Sequence, residues 1–233
     1  MKKIKTVLLI FVALILISGA AWGAYYVYES IYFFSTENAK ITADTVVLTP
    51  EVTGRIKELN VKEGDYVKTG QILIKQDLSM LVTSSSINPQ ALASTADSII
   101  SKADVKAPID GKVVKLNVVK GQVISPGMEI ATIADISHIY VQANIEETEI
   151  NKIKAGQKVD IKIDAYHRRS FEGYVESVGQ ATQTAFSQFP SLNTSGAYSK
   201  VTQLIPVKIS IADADNLNLM LGMNATVKIH IKQ

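Results

Sequence analysis

The chain has 233 residues, enough for one or two domains with cores of their own. Its 24 basic and 22 acidic side chains leave a formal charge of +2, so no polyanion-binding field is evident and nucleic acid is not an expected partner. There is no cysteine, which excludes disulfides, thiolate metal sites and an acylated lipoprotein cysteine. His138, His167 and His230 lie far apart, and none has a second histidine or a carboxylate at helical metal-ligand spacing. Neither a metal nor a cofactor is expected.

The chain opens with "MKKIK", then "TVLLIFVALILISGAAWGAYYVY", an uncharged run over residues 6–28. About 20 apolar residues suffice to span a bilayer. Residues 1–28 are therefore read as a cytoplasmic tip and a transmembrane anchor. The lysines before the span orient it with the N-terminus inside, and Trp22, Tyr25, Tyr26 and Tyr28 suit an outer aromatic belt. A cleaved signal peptide is the rival reading, but its apolar core would run only about 7 to 15 residues. The bulk of the chain is then extracytoplasmic or periplasmic, on a single-pass protein of the cell (inner) membrane.

Residues 29–45 read as a connector, "IYFFSTEN", leading into the first barrel strand. Beyond them the chain repeats itself. "GRIKELNVKEGDYVKTGQ" returns as "GKVVKLNVVKGQVISPGM", pairing Gly54 with Gly111, Gly64 with Gly121 and Gly70 with Gly127, with Leu-Asn-Val shared between the first two glycines. Such spacing implies two copies of one supersecondary unit. Ile56, Val61, Val67 and Ile74 of the first copy, and Val113, Val118, Ile124 and Ile133 of the second, give short apolar strands folded at glycines able to take positive φ. Residues 46–77 and 103–135 are thus predicted to form one small flattened barrel from two halves. The pattern resembles the biotinyl/lipoyl-like fold. The lysine that carries the prosthetic group in that fold's carriers has no counterpart here, since none lies between Lys75 and Lys102.

The insert, residues 78–102, offers Asn88 as N-cap, Pro89 at the first helical position, and Leu92, Ala96, Ile99 and Ala103 on one stripe. It reads as a short helical flap on the domain or as a docking element. Residues 136–233 alternate repeatedly, in "IYVQANI", "KVDIKID", "SFEGYVESV", "LIPVKISIA" and "NATVKIHIK", with "EETEINKI" as a short helix carrying Ile150 and Ile153 inward. This predicts a small antiparallel barrel. The fold class is therefore mainly β: an N-terminal transmembrane helix, a lipoyl-like flattened barrel with a short helical insert, and a C-terminal antiparallel β-barrel. Between Gly179 and Ser199 lies an uncharged loop whose Phe186 and Phe189 either touch a partner or membrane or plug the barrel mouth.

In this order, "TPEVTGRIKELNVKEGDYVKTGQILIKQD", "VKAPIDGKVVKLNVVKGQVISPG", "IYVQANIEETEINKIKAGQKVDIKIDA", "FEGYVESV", "SKVTQLIPVKI" and "LGMNATVKI" resemble the HlyD/EmrA membrane fusion proteins, adaptors of efflux and secretion pumps. The resemblance implies a non-catalytic adaptor, assembled as a trimer or hexamer beside a membrane transporter. "GAYSKVTQLIPVKI" looks most like the branch that serves major facilitator transporters, with an ABC transporter as the other possibility. It also implies that the turn "VVKGQ", with Lys120 and Gln122, lines the inner rim of a ring; a solvated turn is the plainer reading. Relatives that meet an outer-membrane channel carry a long hairpin with an arginine at its tip. Residues 78–102 contain no arginine and form one short helix at most, which argues against direct contact with such a channel. An enzyme is not expected, because no G-x-S-x-G, H-E-x-x-H or phosphate-binding G-x-x-x-x-G-K is present. The alternative is a membrane-tethered binding module for a ligand or cell-wall component.

Overall fold

The computed structural model describes residues 2–77, 102–182, 184–185, 202–212 and 219–232, with side chains from Leu14 onward. The chain divides into two units, Ala43–Ile139 on the one hand and Met1–Thr42 with Tyr140–Gln233 on the other. Two long strands, β1 (Phe33–Leu48) and β8 (Ala131–Glu146), contribute residues to both.

In the first unit the repeat becomes geometry. The first copy supplies β2 (Gly54–Leu59), β3 (Tyr66–Val67) and β4 (Ile72–Asp77); the second supplies β6 (Gly111–Leu116), β7 (Val123–Ile124) and the start of β8, with β5 (Asp104–Lys106) beside β4. One sheet runs β5-β4-β2-β7, while β6 joins β3 and β8. Each copy is completed by the other. The Gly64 amide donates to the Val113 carbonyl at 2.8 Å, and its counterpart Gly121 donates to Ile56 at 2.9 Å. Val113 returns a bond to Asp65 at 2.9 Å and Ile56 returns one to Gln122 at 2.8 Å, so the exchange repeats residue for residue. The same holds for register: Tyr66 faces Lys112 as Val123 faces Arg55. Even the irregularities repeat, with a shift between Ile56 and Glu58 in one ladder and between Val113 and Lys115 in the other.

The turns share one chemistry. Among the described residues Gly64, Gly70, Gly121, Gly127, Gly156 and Gly222 hold φ between 81° and 93°, where a side chain would be strained. At four of them the next residue locks the turn with its own side chain, which accepts the amide three residues back: Asp65 to Lys62, Gln71 to Lys68, Gln122 to Val119 and Gln157 to Lys154. The leading glycine of the second copy does other work. A Cβ on Gly111 would lie 2.3 Å from the Ala134 carbonyl oxygen, so this position is a close approach of two strands. Ile56, Leu73, Ile74, Ile124, Ile130 and Ile133 fill the core with almost no exposure, each worth about 1.5–3 kcal/mol of transfer free energy.

The second unit is a barrel with a helix. Strand order is β1, β12 (Asn224–His230), β9 (Lys158–Ile163), β10 (Phe171–Val178), β11 (Leu204–Ile211) and β8, each neighbour antiparallel. Alternation puts Val159, Ile161 and Ile163, Val227 and Ile229, and Val207 and Ile209 inside. Gly173 lets β10 approach β11, since a Cβ there would fall 2.1 Å from the Ser210 carbonyl oxygen.

One local expectation is corrected. No connector follows the helix: α1 runs Lys2–Tyr32 and β1 begins at Phe33. The chain is captured at once, because Tyr28 stacks on Tyr32 at 4.4 Å, Phe33 packs edge-on against His230 at 4.9 Å, and the Ile231 amide donates to the Tyr32 carbonyl at 2.9 Å. The short helix expected in "EETEINKI" is a single 3₁₀ turn, Ile150–Lys152. Strand pairing takes Glu146 against Leu204, and the Glu147 amide bonds Gln203 at 3.0 Å, which leaves too few residues for α-helical turns. Ile153 is buried there and Ile150 half-buried. Among the described residues no helix is long and apolar enough to cross a membrane, and the side chains of residues 1–13 are not among them.

Candidate functional site

The turn at Val119–Gln122 closes on itself and on the other copy. Gly121 takes φ 89°, the Arg55 guanidinium donates to its carbonyl at 2.9 Å, and the Gln122 carboxamide oxygen accepts the Val119 amide at 3.1 Å. Gln122 is therefore half-buried and turned into the loop, while Lys120 is exposed and Val119 is 66% exposed beside it. The matching turn of the first copy has the same backbone and a different tip. Glu63 stands where the second copy has Lys120, and its carboxylate folds back to accept the Leu116 amide at 2.8 Å. One turn thus spends its charge internally. The other presents a cation and an apolar side chain to solvent. Phe186 and Phe189, and the insert at 78–101, lie outside the described residues.

Three polar clusters surround this framework, and none is catalytic in form. Asp110 accepts the Thr69 amide at 2.6 Å and its hydroxyl at 2.7 Å, which holds the carboxyl below its usual range. Asp135 accepts both the amide and the hydroxyl of Ser137, and His138 Nδ1 lies 3.0 Å from its second oxygen; these bonds, led by the serine hydroxyl, lower its pKa. Serine, histidine and aspartate meet here, but Ser137 and Asp135 both address the same ring nitrogen, Nδ1. A working triad needs them on opposite nitrogens of the imidazole. Lys75 and Glu58, opposite each other in the β2–β4 ladder at 2.9 Å, form an exposed pair that adds little. Among the described residues no group of three or more histidines or carboxylates is placed to hold a metal.

At the other unit, α1 is braced to the barrel wall. Lys228 bonds Glu29 at 2.7 Å and sits 4.2 Å above the Phe33 ring; His230 meets Asp160 at 2.9 Å, and Lys158 meets Glu172 at 2.7 Å. Trp22, Tyr25, Tyr26 and Tyr28 remain exposed on the helix just before this brace. The Arg55 and Lys228 contacts join residues far apart in the chain, and no local sequence pattern announces them.

A lipoyl-like hybrid domain followed by a six-stranded antiparallel barrel is the architecture that the described residues define. The comparisons agree. Residues 44–136 match the family model described as the barrel-sandwich hybrid domain of RND membrane fusion proteins, and residues 139–229 match the YknX-like β-barrel domain. YhbJ of Bacillus subtilis (strain 168), named for an efflux system, is 35% identical over 201 residues, 86% of this chain and 81% of that one. The colistin resistance protein EmrA of Acinetobacter baumannii is 37% identical over 133 residues, covering 56% of this chain but only 38% of its own length. Among solved structures, a MacA-MexA chimeric protein containing the Pseudomonas aeruginosa MexA α-hairpin domain superposes with a TM-score of 0.68 at 22% identity, over 87% of this chain and 83% of the other. The periplasmic adaptor protein EmrA gives 0.52 at 17% identity, over 86% and 99%. At such identities the structures speak for the fold. With the 35% relative, they establish that the chain belongs to the membrane fusion protein family of the HlyD/EmrA type.

Proposed function

We propose that this chain is the membrane-anchored, non-catalytic adaptor of an efflux or secretion system, assembling with a transporter of the cytoplasmic (inner) membrane. The observation that carries the reading is the unbroken order of hybrid domain and barrel, shared over most of its length with a relative named for an efflux system. The apolar run at residues 6–28 within α1 supports a single-pass anchor, and the exposed tyrosines and tryptophan suit the headgroup level. On this reading the barrel lies on the extracytoplasmic side. The transporter is of the major facilitator type, following the resemblance of "GAYSKVTQLIPVKI", with an ABC transporter as the alternative. The adaptor forms a trimer or hexamer in which the Val119–Gln122 turn faces the passage, Lys120 supplying the polar group and Gln122 holding the turn. Phe186 and Phe189 serve as a partner loop.

Purification of the full chain in mild detergent from cells that also express a candidate transporter tests this. Co-purification of a polytopic transporter in a fixed ratio is the expected result. A stable protein that leaves every transporter behind and is retained on cell-wall material would establish the tethered binding module instead.

A further inference from the structure

A cleft of about 300 Å³ opens in the barrel wall between the start of β1 and the end of β8. A bulge in β1 lies beside it. Against β12 the register of β1 shifts between Thr36 and Ala39, and here the Asn38 and Asn144 side chains bridge β1 and β8 at 3.0 Å. Phe34 and Leu204 supply half-buried apolar walls, and Glu146 and Glu149 stand at the cleft as carboxylates. Lys152 pairs with Glu149 at 2.5 Å, so Glu146 leaves the lining net negative. Phe34 is the second residue after α1, which sets the cleft close to the helix end.

We infer that this cleft binds a small amphiphilic cation, its apolar part against Phe34 and Leu204 and its charge toward Glu146 and Glu149. Charge complementarity selects the occupant: among the described residues of the lining an anion of the same size meets a carboxylate and no cation, and a neutral hydrocarbon leaves the asparagine pair and carboxylates desolvated without compensation. The volume lies at the lower end of small-molecule sites, which limits the ligand to two or three fused rings or a short-chain quaternary ammonium. As a contact for a molecule in transit the site rests on the adaptor reading. As a binding site it stands on the cleft alone.

The test uses the full chain in lipid nanodiscs, with empty nanodiscs subtracted, and ethidium as the fluorescent cation. The anion 8-anilinonaphthalene-1-sulfonate is the control. Saturable ethidium binding is expected, weakening with added salt, and roughly tenfold weaker in E146Q/E149Q, as for loss of about two partly screened charges. F34A should weaken it as well, while far-UV circular dichroism reports that both variants remain folded. Equal ethidium affinity in the wild type and E146Q/E149Q, or equal saturable binding of the anion, overturns the proposal. Ethidium binding without transporter co-purification would refute the adaptor reading and leave the site standing; the converse would do the opposite.

Discussion

Replacing Gln76 by isoleucine should stabilise the protein. Gln76 is only 7% exposed in the hybrid core, and among the described residues neither its carboxamide nitrogen nor its oxygen has a hydrogen-bond partner. The internal repeat supplies the control. Ile133 occupies the matching place in the second copy at 0% exposure, and it faces Val113 in the ladder as Gln76 faces Ile56. The matching site of the second copy thus holds a β-branched aliphatic side chain. An unsatisfied buried amide costs about 1–3 kcal/mol, and burying the aliphatic replacement contributes a similar amount. After allowance for a denatured chain that already hides some apolar surface, the net gain is about 2–3 kcal/mol. For a unit of this size that raises the melting midpoint by roughly 10–20 °C. Thermal melts of the full chain in detergent, followed by circular dichroism, measure it, with Ile133→Gln expected to move the midpoint the other way. An unchanged or lowered midpoint for Gln76→Ile would mean that the carboxamide is satisfied and that the reasoning fails.

Gly121→Ala should cost about 1–2 kcal/mol through its positive φ alone, since open space surrounds the new Cβ, and a urea midpoint reads this directly. Gly173→Ala should be worse despite an ordinary backbone, because the Cβ collides with the Ser210 carbonyl; loss of soluble, cooperative folding is the expected outcome. Asp110 and Asp135 both have lowered pKa values in the folded state, so the stability they contribute is present above the ordinary carboxylate value near pH 4 and is lost as pH falls through the lowered ones. Asp110→Asn should accordingly flatten the acid limb of a stability profile measured by urea midpoint. Finally, Lys120→Cys introduces the chain's only cysteine, and oxidation should join subunits if the turn lines a ring. Monomeric bands at every oxidant strength would place that turn elsewhere.

The glycine ladder was readable in the sequence because positive φ leaves glycine almost alone as a choice, and Gly64, Gly70, Gly121 and Gly127 all take it. Barrel strands such as "KVDIKID" were readable for a similar reason: alternation is what a half-buried strand requires. Gln76 was not, because nothing local distinguishes a glutamine facing solvent from one facing a core. The cleft was equally hidden, since its lining brings together Phe34 and Asn38 of β1, Asn144 and Glu146 of β8 and Leu204 of β11, residues far apart in the chain. The direct passage from α1 into β1 was missed because "IYFFSTEN" has the composition of a connector, and only its contacts with β12 make it a strand. For the Val119–Gln122 turn, the exposure of Lys120 followed from its type, whereas the inward role of Gln122 depended on a side-chain bond within the turn.

The helix that becomes a strand without a hinge has a mechanical consequence. Glu29 is tied to Lys228 and Tyr32 to Ile231, so α1 joins the barrel through contacts on both sides of its C-terminal end rather than through a linker. On the reading of α1 as the anchor, its tilt in the bilayer is transmitted to the barrel as an angle, and tilt is set in part by the thickness of the hydrocarbon layer. Membrane composition then becomes a variable in docking: a thicker or thinner bilayer would re-aim the barrel's faces with no change in any protein contact.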